Sequence, residues 1–192
     1  MREFQKEDSY KNLERVNFWI ANCDTKASFI LALIGIFLSA FMSNDLINGS
    51  VKSLFNEISK FKPIDIKVIF IFSIIVTSGV TIFFFVRCIF NLLKTLTGKI
   101  DSPIPQEQNL SADSFLFFGS ISSRGFDSYK NGWDNLSENE IVNDIDSQTY
   151  INSKICSLKF RNYNKAIGNI RLAVILFTTT IILLSVYSIV FQ

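Results

Sequence analysis

The chain has 192 residues, a formal net charge of +2 and an apolar content of 48%, including 20 phenylalanines. It contains no histidine, which removes the commonest general base and a common metal ligand. The sequence also lacks Gly-rich phosphate loops and the GxSxG, HExxH and paired-carboxylate motifs. We therefore expect a non-enzymatic protein with no metal or other cofactor and no nucleic-acid partner.

The N-terminal segment, residues 1–26, is predicted to be a helix that runs into a transmembrane helix at 27–43. The second range has no charged residue, and about 20 apolar helical residues cross a bilayer. Apolar residues at steps of three and four align one side of the helix: Leu13, Val16, Ile20, Cys23 and Ala27. Small residues continue within the span: Ser28, Ala32, Gly35 and Ser39. They favour close packing within one chain or between copies in a homo-oligomer, and both remain open.

The segment 44–67 leads to a second uncharged apolar stretch at 68–86, which is a second predicted transmembrane helix. Within 51–61 an apolar stripe is flanked by lysines, which predicts a short amphipathic helix on the membrane surface that ends before Pro63. Hydroxyl groups share one face of the second span at four-residue spacing: Ser73, Thr77 and Thr81.

Residues 87–171 form the long polar part of the chain, with a linker at Pro103 and Pro105 and an aromatic run at 115–123. Ser137 and Glu140 have the spacing of a capping box, which predicts the start of a helix. Acidic residues nearby are interpreted as a solvated surface: Asp134, Glu138, Glu140, Asp144 and Asp146.

From about Asp146 the chain is predicted to stay helical into a third uncharged stretch, 172–191. Its apolar side is expected to pack along the N-terminal helix and comprises Cys156, Phe160, Tyr163, Ile167, Ile170 and Val174. The sequence thus predicts an all-α membrane protein with three transmembrane helices, two of which extend into a helical cytosolic region.

The distribution of basic residues predicts the orientation. Lys and Arg number five before the first span, four between the first and second, ten between the second and third, and none afterwards. The positive-inside rule places the N-terminus and 87–171 in the cytosol, and 44–67 and the C-terminus outside. The four lysines of the segment 44–67 weaken the support for this predicted orientation without reversing it. Because the spans hold no ionisable residue, a secondary transporter is not expected.

One candidate site lies at the cytosolic mouth of the first span and contains Asn22, Asp24 and Lys26. In the simpler interpretation Lys26 reaches the lipid headgroups and Asp24 offsets its charge. A carboxylate beside the inner leaflet is unfavourable without a partner, however, so a ligand-binding role stays open.

Two further clusters lie in the cytosolic region. Phe118 and Ser120 can stack a base and hold a phosphate, or the aromatic run can be a hydrophobic plug under the helices. Asn152, Lys154 and Arg161, with Lys165 on the same face, suit a phosphate-bearing ligand or anionic lipid headgroups.

Three segments together resemble the Pycsar effector family with transmembrane helices. They are residues 19–28 leading into the first span, 117–121, and 152–160 leading into the last. Cys23 departs from the small residue expected before Asp24. The resemblance implies an antiphage effector of the bacterial inner membrane. A partner cyclase would make cyclic CMP or cyclic UMP on infection, and the effector would sense it and impair the membrane, so that the cell dies before phage matures.

The residues are compatible with this implied role. A cyclic mononucleotide bound between the mouth at Asp24–Lys26 and the face at 152–165 would reorient the two long helices and open a leak. Two alternatives remain at this point. One is a membrane anchor or assembly subunit that holds a protein partner, and the other is a holin-like pore former that needs no ligand.

Overall fold

Five α-helices make up 91% of the residues described by the computed structural model, which cover 6–42, 66–97, 110–111 and 113–191. They are α1 (Lys6–Met42), α2 (Ile66–Leu96), α3 (Phe118–Ser123), α4 (Phe126–Asp134) and α5 (Glu138–Phe191). No strand occurs in these ranges. The predicted amphipathic helix at 51–61 and the proline linker lie outside the described residues.

Helices α1, α2 and α5 are each long and apolar enough to cross a membrane. The 54 residues of α5 extend over ~80 Å at 1.5 Å per residue, far more than a hydrocarbon core of ~30 Å. Helix α1, with 37 residues, is likewise longer than a single span requires. The predicted all-α membrane protein with three spans, two of them in long helices, is confirmed.

The capping box predicted at the start of α5 is present. The backbone N–H and the hydroxyl of Ser137 donate to Glu140 Oε2 at 2.8 and 2.6 Å, and the Glu140 N–H donates to Ser137 Oγ at 3.3 Å. These hydrogen bonds hold the pKa of the Glu140 carboxyl below its usual value. The helix then continues without a break, so the predicted start at Ser137 and the predicted segment from Asp146 are one element.

The chain forms two compact units. The first contains the described residues up to Thr25 and those of Thr95–Arg161, and the second contains Lys26–Lys94 and the residues from Asn162 onwards. In the second unit Ile71, Ile74 and Tyr187 form a buried cluster, against which further apolar side chains pack: Phe70, Leu183, Leu184 and Phe191. The predicted hydroxyl face of α2 is internally satisfied, because each hydroxyl donates to a carbonyl four residues earlier: Ser73, Thr77 and Thr81.

Buried residues of α5 recur every seven positions. In the second unit these are Ala166, Ala173, Thr180 and Tyr187, and in the first unit the same series contains the half-buried Asn152 between the buried Ile145 and Lys159. Small alanines at such positions allow close helix approach. The apolar stripe predicted for α5, from Cys156 to Val174, is therefore not the most buried face of the helix. Its members lie beside the buried series and are half-buried, except for Val174, which is 52% exposed. The predicted seam of α1 is confirmed at Cys23 and Ala27, which are fully buried.

Candidate functional site

A buried ammonium group joins three helices within the first unit. Lys159 Nζ of α5 donates to Asp24 Oδ1 of α1 at 2.6 Å and to the Thr95 carbonyl of α2 at 2.8 Å. The Lys159 side chain is only 7% exposed, whereas that of Asp24 is 36% exposed. We call these three residues the lysine clamp.

The position of Thr95 explains why a cation is stable here. It lies in the last turn of α2, where backbone carbonyls lack an intrahelical partner and the helix dipole presents partial negative charge. A buried lysine ammonium is unfavourable unless it is paired with negative charge. Asp24 and the helix end together supply the negative charge that Lys159 needs.

Two further contacts show that α1 and α5 run parallel in the first unit. Asn152 Nδ2 donates to Asn17 Oδ1 at 2.8 Å, and the rings of Trp19 and Phe160 meet edge to face with centroids 6.2 Å apart. The sequence separation of Asn17 and Asn152 equals that of Asp24 and Lys159, namely 135 residues. The two polar contacts are therefore successive steps of one register.

The predicted mouth cluster is only partly as expected. Asp24 is paired with Lys159 rather than serving as the counterion of Lys26, which is exposed and is the first residue of the second unit. Asn22 is half-buried. The local sequence indicates that Asp24 needs a partner but not which residue it is, because Lys159 is 135 residues away along the chain.

The predicted basic face of α5 is exposed at Lys154, Arg161 and Lys165, of which Lys165 belongs to the second unit. The Lys154 ammonium lies over the Tyr150 ring, 4.9 Å from its centroid. Asn152 is instead engaged with Asn17 between the helices. This part of the first unit thus combines exposed cations with a polar interhelical contact.

The aromatic run separates into an exposed and a packed part. Phe118 is 78% exposed and contacts the Phe117 ring at a centroid distance of 4.7 Å, while Ser120 on the same short helix is half-buried. Phe115 is the packed residue, and α4 supplies its neighbours Tyr129 and Trp133, at centroid distances of 6.1 and 6.4 Å.

Arg124 completes the packing around Phe115. Its guanidinium lies 3.8 Å from the ring centroid, donates to the Ser114 and Asp113 carbonyls, and forms an ion pair with the Asp113 carboxylate. Gly132 also packs closely against the ring, since a Cβ there would be 2.7 Å from Phe115 Cζ. This arrangement accounts for the hydrophobic-plug interpretation at Phe115, and Phe118 remains available for stacking.

Several polar side chains are buried in the first unit and hold the segment 111–117. Ser114 Oγ accepts from the Leu116 and Phe117 N–H groups, at 3.0 and 3.1 Å. Asp144 Oδ2 accepts from the Phe115 N–H at 2.8 Å, and Ser147 Oγ accepts from the Ser111 N–H at 3.1 Å.

The assignment of Asp144 to a solvated acidic surface is wrong, because its side chain is 5% exposed. Burial is favoured by the Phe115 N–H, which needs an acceptor in the interior. The other four acidic residues of that surface are exposed as predicted: Asp134, Glu138, Glu140 and Asp146. No local signal separates Asp144 from Asp146, which is also adjacent to Ile145 but is exposed.

The comparisons with known proteins agree on one family. The Pycsar effector protein domain, PycTM, matches residues 8–190. The Pycsar effector protein GmPycTM of Gulbenkiania mobilis is 42% identical over 166 residues, which cover 85% of this chain and 84% of that protein. No solved structure matches the chain. The chain therefore belongs to the PycTM family of Pycsar effector proteins, which confirms the resemblance in its sequence.

Proposed function

We propose that this protein is an antiphage effector that binds cyclic CMP or cyclic UMP made by a partner cyclase and then impairs the bacterial inner membrane. Infection would end through death of the host cell, without an enzymatic step by this chain. Membership of the Pycsar effector family supports the defence role, and the three membrane-spanning helices fit a protein that acts on a bilayer.

The observation that carries the proposal is the lysine clamp. One buried ammonium holds α1, α2 and α5 together, and each of these helices continues into an apolar segment long enough to cross a membrane. Any ligand that changes the partners of Lys159 therefore acts on all three helices at once. The proposed spans are 27–43, 68–86 and 172–191, with the N-terminus and 87–171 in the cytosol and the C-terminus and 44–67 outside.

The ligand is proposed to bind to residues of the first unit that combine cations, amides and an exposed ring. Lys154 and Arg161 supply positive charge for the phosphate, Phe118 supplies a stacking surface, and amide and hydroxyl groups supply hydrogen bonds. The amide and hydroxyl residues are Asn22, Asn152 and Ser120. Asp24 takes part through the clamp, and Lys26 follows it on α1.

Ligand binding must favour the leaky state over the resting state for this mechanism to work. A shift from 1% to 99% occupancy of the leaky state requires about 5.5 kcal/mol of differential binding. A phosphate that attracts the Lys159 ammonium away from Asp24 would supply part of this, since charge-assisted hydrogen bonds are the strong ones. Repacking of the spans within a chain or between copies would then open the lesion.

The test is the membrane potential of cells that express this protein together with inducible cyclases for cyclic CMP, cyclic UMP or cyclic AMP. Collapse with one pyrimidine nucleotide alone is expected. Collapse without any nucleotide would favour a holin-like pore former, and no collapse despite confirmed membrane expression would favour an anchor.

The site assignment has its own test. The triple variant Lys26→Ala, Lys154→Ala, Arg161→Ala should lose nucleotide binding in detergent-purified protein, because it lacks the three exposed cations of the proposed site. Lys130→Ala, an exposed lysine of α4, is the matched control. Binding by the triple variant at wild-type strength would show that the ligand site is elsewhere.

A further inference from the structure

Among the described residues of the first unit, two buried side-chain oxygen atoms have no hydrogen-bond partner. They are Ser9 Oγ on α1 and Asp144 Oδ1 on α5, in side chains that are 0% and 5% exposed. Native interiors rarely leave such groups unpaired, because a buried polar atom without a partner destabilises the fold. An orphaned carboxylate oxygen is especially unfavourable because it carries charge.

The two residues lie at the same level of the helix pair. The register that joins Asn17 to Asn152 and Asp24 to Lys159 also places Ser9 level with Asp144, with the same separation along the chain. The parallel helices thus bring two unpaired oxygen atoms to one level near the start of the described part of α1.

Both unpaired oxygen atoms can accept a hydrogen bond from a ligand. The other carboxylate oxygen of Asp144 is already occupied by the Phe115 N–H, so Oδ1 is the atom that remains to accept. The Ser9 hydroxyl can accept as well as donate. A group with two N–H bonds on one nitrogen, such as an exocyclic amine, has one donor for each of these oxygen atoms.

We propose that Ser9 and Asp144 bind the exocyclic amino group of a cytosine base, so that cyclic CMP is the preferred ligand; this inference rests on the proposed function. Aspartate characteristically accepts from the N4 amine of cytosine. Uracil has a carbonyl oxygen where cytosine has this amine. The Asp144 carboxylate would repel that oxygen, so cyclic UMP is expected to bind less well.

The phosphate end of the ligand would then lie further along α5. The Lys154 ammonium is over Tyr150, six residues or ~9 Å along the helix from Asp144. That interval is comparable with the length of a cyclic mononucleotide, so Lys154 is placed to bind the phosphate.

The substitution Asp144→Asn gives a sharp test, because the Phe115 N–H fixes its orientation. The amide oxygen must face that N–H, which leaves the NH₂ group, a donor, where Oδ1 accepted. We expect cyclic CMP binding to weaken at least about tenfold and the ratio of cyclic CMP to cyclic UMP affinity to fall by a similar factor. Ser9→Ala should weaken cyclic CMP binding by roughly fivefold.

The measurement is calorimetric titration of the full-length, detergent-purified protein with cyclic CMP and cyclic UMP, alongside thermal melts without nucleotide. Asp146→Asn and Asp8→Asn are matched controls, since both side chains are exposed on the same helices, and their affinities should stay at the wild-type value. A purely structural pair of residues would lower the melting temperature and leave the ratio of the two affinities unchanged.

Three outcomes would overturn the inference while leaving the proposed function intact. They are a wild-type preference for cyclic UMP, an unchanged affinity ratio in Asp144→Asn, and unchanged cyclic CMP binding in Ser9→Ala. The Ser9→Ala measurement tests the inference even if the Asp144→Asn variant does not fold. If the wild-type protein binds neither nucleotide, the proposed function fails and this inference fails with it.

Discussion

The lysine clamp makes an asymmetric prediction about stability. Removing Asp24 leaves the Lys159 ammonium buried, with only the Thr95 carbonyl as a partner. Removing Lys159 leaves the Asp24 carboxylate, which is 36% exposed and can be hydrated, and removes one hydrogen bond to the Thr95 carbonyl. Asp24→Ala should therefore destabilise the protein more than Lys159→Met does.

The magnitudes follow from the burial of each partner. Loss of one partner of a buried ion pair costs about 3–5 kcal/mol when the remaining charge stays buried, which applies to Asp24→Ala. Lys159→Met removes the ammonium's hydrogen bond to the buried Thr95 carbonyl, which costs about 1–3 kcal/mol. Since 1 kcal/mol shifts the melting temperature of a chain of this size by about 2–4 °C, the two variants should differ by roughly 5 °C.

The assay is thermal unfolding of the detergent-purified variants at one pH and ionic strength. The double variant Asp24→Ala, Lys159→Met is the critical control, because it removes the buried charge together with its partner and should melt close to Lys159→Met. The buried ammonium would not control the stability of this site if the melting temperature of Lys159→Met were equal to or below that of Asp24→Ala. The same would follow if the double variant were the least stable of the three.

Two further predictions concern the first unit. Gly132→Ala should destabilise it by about 1–3 kcal/mol, because the new methyl group would collide with the Phe115 ring, whereas Gly125→Ala has nothing within 4 Å and should melt like the wild type. Equal melting temperatures for the two variants would contradict the packing described around Phe115. Glu140 has a folded-state pKa below its usual value through its hydrogen bonds to Ser137, so it stabilises the native state above the unfolded pKa of 4.5, and this contribution is lost as the pH falls through the folded value. Glu140→Gln should therefore show a smaller loss of helical circular dichroism between pH 6 and pH 3 than the wild type, and identical profiles would count against this contribution.

Local signals in the sequence were sufficient for the three long helices, whereas the short helices α3 and α4 were not predicted individually. The uncharged stretches predicted three spans, and the four-residue pattern at Ser137 and Glu140 predicted the start of α5. These signals work because hydrophobic length and capping depend on residues close together in the chain.

The candidate site was harder to predict from the sequence, because the residues that contact one another there are far apart along the chain. Asp24 was recognised as a carboxylate that needs a partner, but Lys159 and Thr95 are brought to it only by folding. Asp144 was misassigned for the same reason, since the N–H that stabilises its burial belongs to Phe115, 29 residues earlier. An acidic residue among other acidic residues gives no local indication that it points inward.

Lys159 occupies a position in the seven-residue series of α5 whose other buried members are Ile145, Ala166, Ala173, Thr180 and Tyr187, and only the half-buried Asn152 is comparably polar. In parallel coiled coils a polar residue at such a position specifies the alignment of the helices at some cost in stability. A slide of α5 by one repeat, ~10 Å, would put Lys159 beside Asn17 and Ala166 beside Asp24. The amide oxygen of Asn17 could then accept from the ammonium, whereas smaller slides would leave the ammonium with neither Asp24 nor Asn17. The helix pair therefore has discrete alignments instead of a continuum, and a signal carried along it would be all-or-none.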